Sequence, residues 1–335
     1  MDTVEVLSIP FRRSWRIIGS CNGLLCVEVI HNRGRSSSSL WLWNPVIREV
    51  IEVPSTLNDH RYVCCLGFGF SSIVNDYKIV RFYNQELRRK RENQYFQFIK
   101  HDRVEVFSLS TGSWKELESE ALRHTEVLRG ALNADGTIFW SGFRSFSSII
   151  ISFDIAREVF TLTPTPRPTE HDVSFGVYGN KLEGHYVIKE GPGSHFIGVC
   201  EVEDVASASG NGLSCIQKDR VGPMSGVIRP VCVWRNEIVC YHIKETEVEG
   251  NPKCVLHMFN LITNERRTFN CSIDCDWCDI FNYDESLVSV WNTQIMKKME
   301  LKRRYPKLQN TPREIQLQVH EKKENEPCIT SEWPK

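Results

Sequence analysis

The stretch GSCNGLLCV, Gly19 to Val27, reads as the end of one extended run, an Asn22-Gly23 turn and the start of a second apolar run. Asn-Gly supplies the two positive-φ positions of a tight hairpin turn, and the flanking apolar residues supply the paired strands. The pattern recurs along the chain. It returns in SIVNDYKIVRFY, LNADGTIFWSGF, YGNKLEGHYVI, WRNEIVCYHI and FNYDESLVSV, with turn markers at Asp76, Asp135, Asn180, Asn236 and Asp284. These markers follow one another at intervals of roughly 45 to 60 residues, a period that signals a repeat architecture.

A second hairpin type alternates with the first. LWLWNPVIREVIEV, VEVFSLSTGSWKEL, IIISFDIAREVFTL and CVLHMFNLITNERRTF turn at Asn44, Ser110, Asp154 and Asn260, and FIGVCEVEDV is a weaker copy that turns at Asp204. Two hairpins per repeat make four antiparallel strands, the unit of a β-propeller blade. A lone four-stranded sheet exposes two apolar faces, and radial packing covers both. The expected fold is therefore all-β, a propeller-like ring of about six four-stranded blades, with an irregular array of sandwiched sheets as the alternative. Five full repeats lie between Trp15 and Cys271. A final strand pair near Asp279 to Trp291 is expected to close the ring with the strand in TVEVLSIPF, leaving that blade one strand short. Residues 1–14 then hold the ring-closing strand, 15–293 the propeller, and 294–335 a basic and polar tail, helical in part or disordered.

Bulk composition narrows the function. The chain has 335 residues, 41% of them hydrophobic, and a net charge of −1. It carries no overall electrostatic footprint for nucleic acid or an acidic membrane surface, and no apolar run approaches the ~20 residues of a membrane span. The expectation is a protein of the cytoplasm and/or nucleus. Most of the thirteen cysteines, among them Cys26, Cys64, Cys65, Cys200, Cys232 and Cys240, sit inside apolar runs, where a free thiol acts as a small core residue. Cys271, Cys275 and Cys278 include one C-x-x-C without a second pair, so buried thiols are expected rather than a metal centre. No cofactor is expected.

RIIGSCNGLLCV, LWLWNPVIREVIEVP, LGFGFSSIVNDYKIVRFY and VEVFSLSTGSWKEL together resemble the F-box-associated domain of plant F-box proteins, including the kelch-type and self-incompatibility-locus members. The resemblance extends from about Trp15 to Trp291 and weakens after Gly184. It implies a β domain that holds a protein target for ubiquitin transfer by a cullin-RING ligase, to which a helical F-box attaches it through the Skp adaptor. The 14 residues before Trp15 are too few for such a helical segment. Docking to the adaptor is therefore not expected of this chain. A general propeller scaffold unrelated to ubiquitin is the alternative.

Chemistry is weakly signalled. STGSWKEL has the outline of a sialidase Asp-box, but Thr111 stands where the carboxylate belongs, so Trp114 reads as a packing residue. No H-E-x-x-H, G-x-S-x-G or phosphate loop is present. The reading is non-enzymatic, with a hydrolytic propeller as the least favoured alternative. Long polar connections fall between the two hairpins of each repeat and are expected to share one face. They carry the candidate partner-binding residues: Arg33 and Arg35; Arg88, Arg89, Lys90 and Arg91; Arg144 and Phe146; His195 and Phe196; and Glu245, Glu247 and Glu249. Basic and acidic sectors on one face suit a protein partner; no stacking platform for nucleic acid accompanies the basic loop.

Overall fold

The computed structural model describes residues 10–11, 14–31, 38–55, 62–84, 103–145, 147–165, 173–191, 194–207, 210–224, 226–243, 253–274 and 281–291. These form twenty strands. The first sheet contains β1 (Trp15–Cys21), β2 (Leu24–Ile30), β3 (Ser38–Asn44) and β4 (Glu49–Glu52). The second contains β5 (Tyr62–Ser71), β6 (Asp76–Asn84), β7 (Arg103–Ser108) and β8 (Ser113–Leu117); the third, β9 (Thr125–Ala134), β10 (Thr137–Arg144), β11 (Ser147–Asp154) and β12 (Val159–Pro164). The fourth contains β13 (Val173–Tyr178), β14 (Lys181–Lys189), β15 (His195–Ser207) and β16 (Gly210–Met224); the fifth, β17 (Val227–Trp234), β18 (Glu237–Ile243), β19 (Lys253–Asn260) and β20 (Arg266–Asp274). In each sheet the strands neighbour one another in chain order, the meander of a propeller blade. Five blades are thus present among the described residues, where about six were expected.

Turn chemistry explains why each blade forms where it does. The first hairpin of every blade places an Asn or Asp at positive φ: Asn22, Asn75, Asp135, Asn180 and Asn236, with φ from 43° to 64°. These short side chains tolerate the left-handed region better than other non-glycine residues. The second hairpins of blades 1, 3 and 5 share another device. The side-chain oxygen of Asn44 accepts from the Val46 amide, Asp154 from Ala156 and Arg157, and Asn260 from Ile262 and Thr263. Four residues after each acceptor, Arg48, Glu158 and Asn264 take positive φ. Blade 2 does the same from Ser108 to Gly112, a turn centred on Ser110 as expected. In blade 4 the expected turn at Asp204 is absent: Asp204 pairs with Leu213 inside β15 and β16. The apolar and charged alternation simply runs on there, and the extended pairing persists to Ser207.

Contacts divide the chain into two compact units. One holds blades 1 and 2, most of blade 3 and the described segment from Tyr283 to Trp291; the other holds blades 4 and 5 with the remaining parts of β11 and β12. In the first unit blade 2 is buried on both faces. Phe68, Tyr77, Ile79 and Phe107 join Leu24, Leu40, Leu42 and Ile51 of blade 1 in one core cluster. On its opposite face Phe82 meets Trp140 of blade 3 edge-on, at 5.2 Å between ring centroids. In the second unit Ile197, Val199 and Val221 of blade 4 pack with Ile228, Val233, Ile238 and Phe259 of blade 5.

Residues 281–291 form no strand, contrary to the expected closing pair. Residues 283–290 instead lie as an irregular strap across the turns of blade 1. Asn44, fully buried, donates from Nδ2 to the carbonyls of Ser286 at 2.9 Å and Val288 at 2.7 Å. Glu49 accepts from the Ser289 hydroxyl and the Val290 amide, and Val290 is buried in the core cluster. Side chains, rather than a ladder, satisfy this backbone, so no sixth sheet forms among the described residues. The expected N-terminal closing strand lies outside the described residues apart from its last two, Pro10 and Phe11. Phe11 packs edge-on against Trp41 and Trp43 of blade 1. Asn44→Ala should lower stability by about 2–3 kcal/mol, because it leaves two carbonyls and the Val46 amide without their partner. A shift in urea midpoint and faster exchange of the Val288 and Val290 amides would show it.

Four of the cysteines follow the expectation. Cys26, Cys65, Cys232 and Cys240 are buried and joined in no disulfide. Cys200, expected as a free thiol, is instead bonded to Cys215 across β15 and β16, their Cα atoms 5.4 Å apart. The side chains of Cys64, Cys271, Cys275 and Cys278 lie outside what is described.

Candidate partner-binding cleft

Within one blade, the turns joining first to second and third to fourth strands lie at one end. The connection from second to third strand lies at the other, here called the loop end. Every long connection singled out from the sequence joins a second strand to a third.

A cleft opens between blades 1 and 2 on the loop half of their seam. Glu28, Ser38, Ser39 and the run Glu52 to Ser55 line it from blade 1; Val63, Leu66, Arg81 and Trp114 line it from blade 2. Strand alternation places them there. Leu24, Cys26 and Glu28 share one face of β2, and Tyr77, Ile79 and Arg81 share one face of β6, so each charged residue continues an apolar row that faces the neighbouring blade.

Both walls carry charges that are already partnered. Arg16 Nε lies 2.5 Å from Glu28 Oε2, and the Ser38 hydroxyl donates to Glu28 Oε1 at 2.8 Å. On the blade 2 wall, Arg81 donates from Nε at 2.7 Å and from Nη2 at 2.5 Å to Glu105 Oε2. The Tyr83 hydroxyl donates to the same oxygen at 3.1 Å, and Arg103 Nη2 meets Glu105 Oε1 at 2.7 Å. Glu105 is only 2% exposed, so this is an interior network. The Arg81 guanidinium lies 3.5 Å from the centre of the Trp114 ring, a cation–π contact. Trp114 Nε1 donates to the Pro54 carbonyl at 2.6 Å, tying the two blades together. Trp114 therefore packs, as expected, but it also walls the cleft. The arrangement offers hydroxyls, carboxylates and an aromatic face on rigid strands, a surface suited to a peptide with mixed polar and apolar groups.

Of the residues singled out from the sequence, Arg33, Arg35, Arg88, Arg89, Lys90, Arg91, Phe146, Glu245, Glu247 and Glu249 lie outside the described residues. Arg144 is exposed at the end of β10. In the second unit His195 and Phe196 begin β15, both half-buried. Arg220 stacks over Phe196 at 3.6 Å from the ring centre and pairs with Glu190 at 2.6 Å, which engages the ring from within the molecule. His195 Nδ1 is buried without a hydrogen-bond partner. Sequence reasoning passed over Arg81, Glu105 and Glu28. Their signal is a charge inside an apolar run, KIVRFY, VEVF and CVEVI, which is rare unless paired.

Several free thiols are poor nucleophiles. Burial pushes Cys21 and Cys232 up to about 11 and Cys240 up to about 12, and it raises Cys26 as well, so all stay protonated near neutrality. Among the described residues, no group of three His, Cys, Asp or Glu is placed to hold a metal ion.

Comparison with known proteins accords with this geometry. Residues 8–181 match the model of the F-box associated beta propeller domain. The chain is 28% identical over 161 residues to the F-box/kelch-repeat protein At3g23880 of Arabidopsis thaliana, covering 46% of this chain and 40% of that one. It is 28% identical over 191 residues to the F-box protein CPR1 of the same plant, covering 50% and 43%. The chain thus spans less than half the length of these curated relatives. Among solved structures it is similar to TolB from Acinetobacter baumannii at a TM-score of 0.40 and 10% identity, covering 76% of this chain and 54% of that one. The repeated hairpins, the four-stranded blades and a match over more than half the chain lead to one assignment: this chain belongs to the F-box associated beta propeller domain family.

Proposed function

We propose that the chain is a non-enzymatic recognition module that holds a protein target for ubiquitin transfer, and that the target seats in the cleft between blades 1 and 2. Membership of a family whose relatives are named F-box proteins supports the ligase context. The observation that carries the site is the cleft itself, with the Arg81–Trp114 stack on one wall and the Glu28 hydroxyl-lined wall opposite. Trp114, half-buried on that wall and held in place by the buried Arg81, is of a residue type that dominates binding energy at protein interfaces.

Ser55 is exposed at the mouth of the cleft, so Ser55→Arg blocks entry without disturbing the core. The tagged full chain and this variant are to be expressed in plant cells and captured with proteasome activity inhibited. The expected result is a set of ubiquitin-conjugated proteins held by the unaltered chain and reduced roughly tenfold or more by the variant. An equal yield with Ser55→Arg would remove the cleft as the binding site. Captured proteins without ubiquitin conjugates would favour a scaffold unrelated to ubiquitin.

A further inference from the structure

The turn end of the first unit presents apolar side chains that the proposed cleft does not use. Ile73 is 85% exposed and Leu287 79%, and Val46 and Val74 are also exposed. Contacts within the unit connect them. Leu287 adjoins Ser286, whose carbonyl is held by Asn44 and whose Cβ occupies the space a side chain on Gly23 would need. Asn22, next to Gly23, exchanges hydrogen bonds with the Tyr77 hydroxyl, and Tyr77 follows the turn that carries Ile73 and Val74. Val46 sits on the Asn44 turn beside the strap. Single exposed apolar residues are ordinary, but four carried on adjoining turns and the strap at one end of a unit mark a contact surface.

The charge around this surface is one-sided. Asp135, Asp284 and Glu285 are exposed at the same end, and a side chain on Gly136, next to Asp135, would lie 3.3 Å from Ser71 of the Ile73 turn. Of the basic residues in these turns, Arg157 is paired with Asp154, which leaves Arg48.

We propose that this surface is covered by the chain's own segment after Trp291. Trp291 ends the strap at this end of the unit, and the next residues read NTQIMKKMELKRRYPK. This segment, outside the described residues, carries Lys297, Lys298, Lys302, Arg303, Arg304 and Lys307 against the single acid Glu300. Ile295, Met296 and Met299 stand at the three-to-four spacing that puts apolar side chains on one face. Six residues reach about 20 Å, so Lys297 is tethered no farther than that from Trp291, at the end of the strap that carries Asp284 and Glu285. Apolar meets apolar and basic meets acidic, at a high effective concentration set by the short tether.

Carbodiimide coupling of lysine amines to carboxylates tests this in the full chain. The diagnostic product links Asp135 to Lys297, Lys298 or Lys302, residues far apart in sequence. A mixture of 14N- and 15N-labelled chains separates linkage within a chain from linkage between copies. The expected result is an intrachain product that falls at least tenfold in Ile73→Asp/Leu287→Asp, whose sheets stay folded because neither side chain belongs to the buried core. As a second measurement, Lys297→Glu/Lys298→Glu should speed amide exchange at residues 72–75 several-fold without touching the sheets. Absence of the Asp135 product, linkage only between differently labelled copies, or unchanged exchange in the charge-reversed chain would each overturn the proposal.

Discussion

Glu105→Ala is expected to destabilise the protein by about 3–5 kcal/mol, far more than an exposed ion pair would predict. Glu105 is almost wholly buried and receives donors from Arg81, Tyr83 and Arg103. Removing it takes away the one carboxylate on which the Arg81, Tyr83 and Arg103 donors converge, in a poorly solvated seam. The penalty therefore comes mainly from buried donors that lose this shared acceptor, more than from the attraction of any single pair. This distinction gives a second measurement its sign. Arg81→Met/Glu105→Leu, which removes both charges and keeps the volume, should unfold at a urea concentration well above that of the single variant. If the double variant were as unstable as Glu105→Ala, the loss would instead lie in the Arg81 contact with Trp114. Either variant alters the cleft wall, so binding and stability are to be measured together.

Much of this architecture is legible in the amino-acid sequence. The Asn and Asp turn markers are short-range signals, and the backbone obeys them with positive φ at five first hairpins. The strap is not legible in the same way. FNYDESLVSV has the composition of another hairpin, but its pairing depends on Asn44 and Glu49, more than two hundred residues away. Asp204 misleads for the opposite reason. It has the residue type of a turn, while register with β16 keeps it extended. The cleft is half visible: the long connections point to the loop end, but the residues that build its walls lie in strands. Arg81 and Glu105 look like interruptions in apolar runs until cross-strand pairing puts them side by side.

The packing of blade 2 on blade 3 yields the other large effect. Trp140 is 1% exposed, donates from Nε1 to the Leu66 carbonyl at 3.2 Å and lies against Phe82 and Phe160. Trp140→Ala should cost about 3–5 kcal/mol through lost burial and the cavity left behind. Gly67 faces that ring from β5. A side chain at Gly67 would collide with Trp140 Cζ2 and meet Ile138 Cγ2 and Trp140 Cε2, each at 2.9 Å, and both neighbours are fully buried side chains with little room to yield. Gly67→Ala should therefore cost about 1–3 kcal/mol by overpacking, although alanine is otherwise tolerated in a strand. The two effects oppose one another in volume. Trp140→Phe opens space where Gly67→Ala takes it up, so the double variant should be more stable than the sum of the single losses predicts, by about 0.5–3 kcal/mol. Strict additivity in urea denaturation would mean that the alanine methyl is accommodated elsewhere. A positive coupling would show that the paired glycines of LGFGF are present to let one blade approach the next, and that this spacing, more than local strand preference, fixes where β5 lies against blade 3.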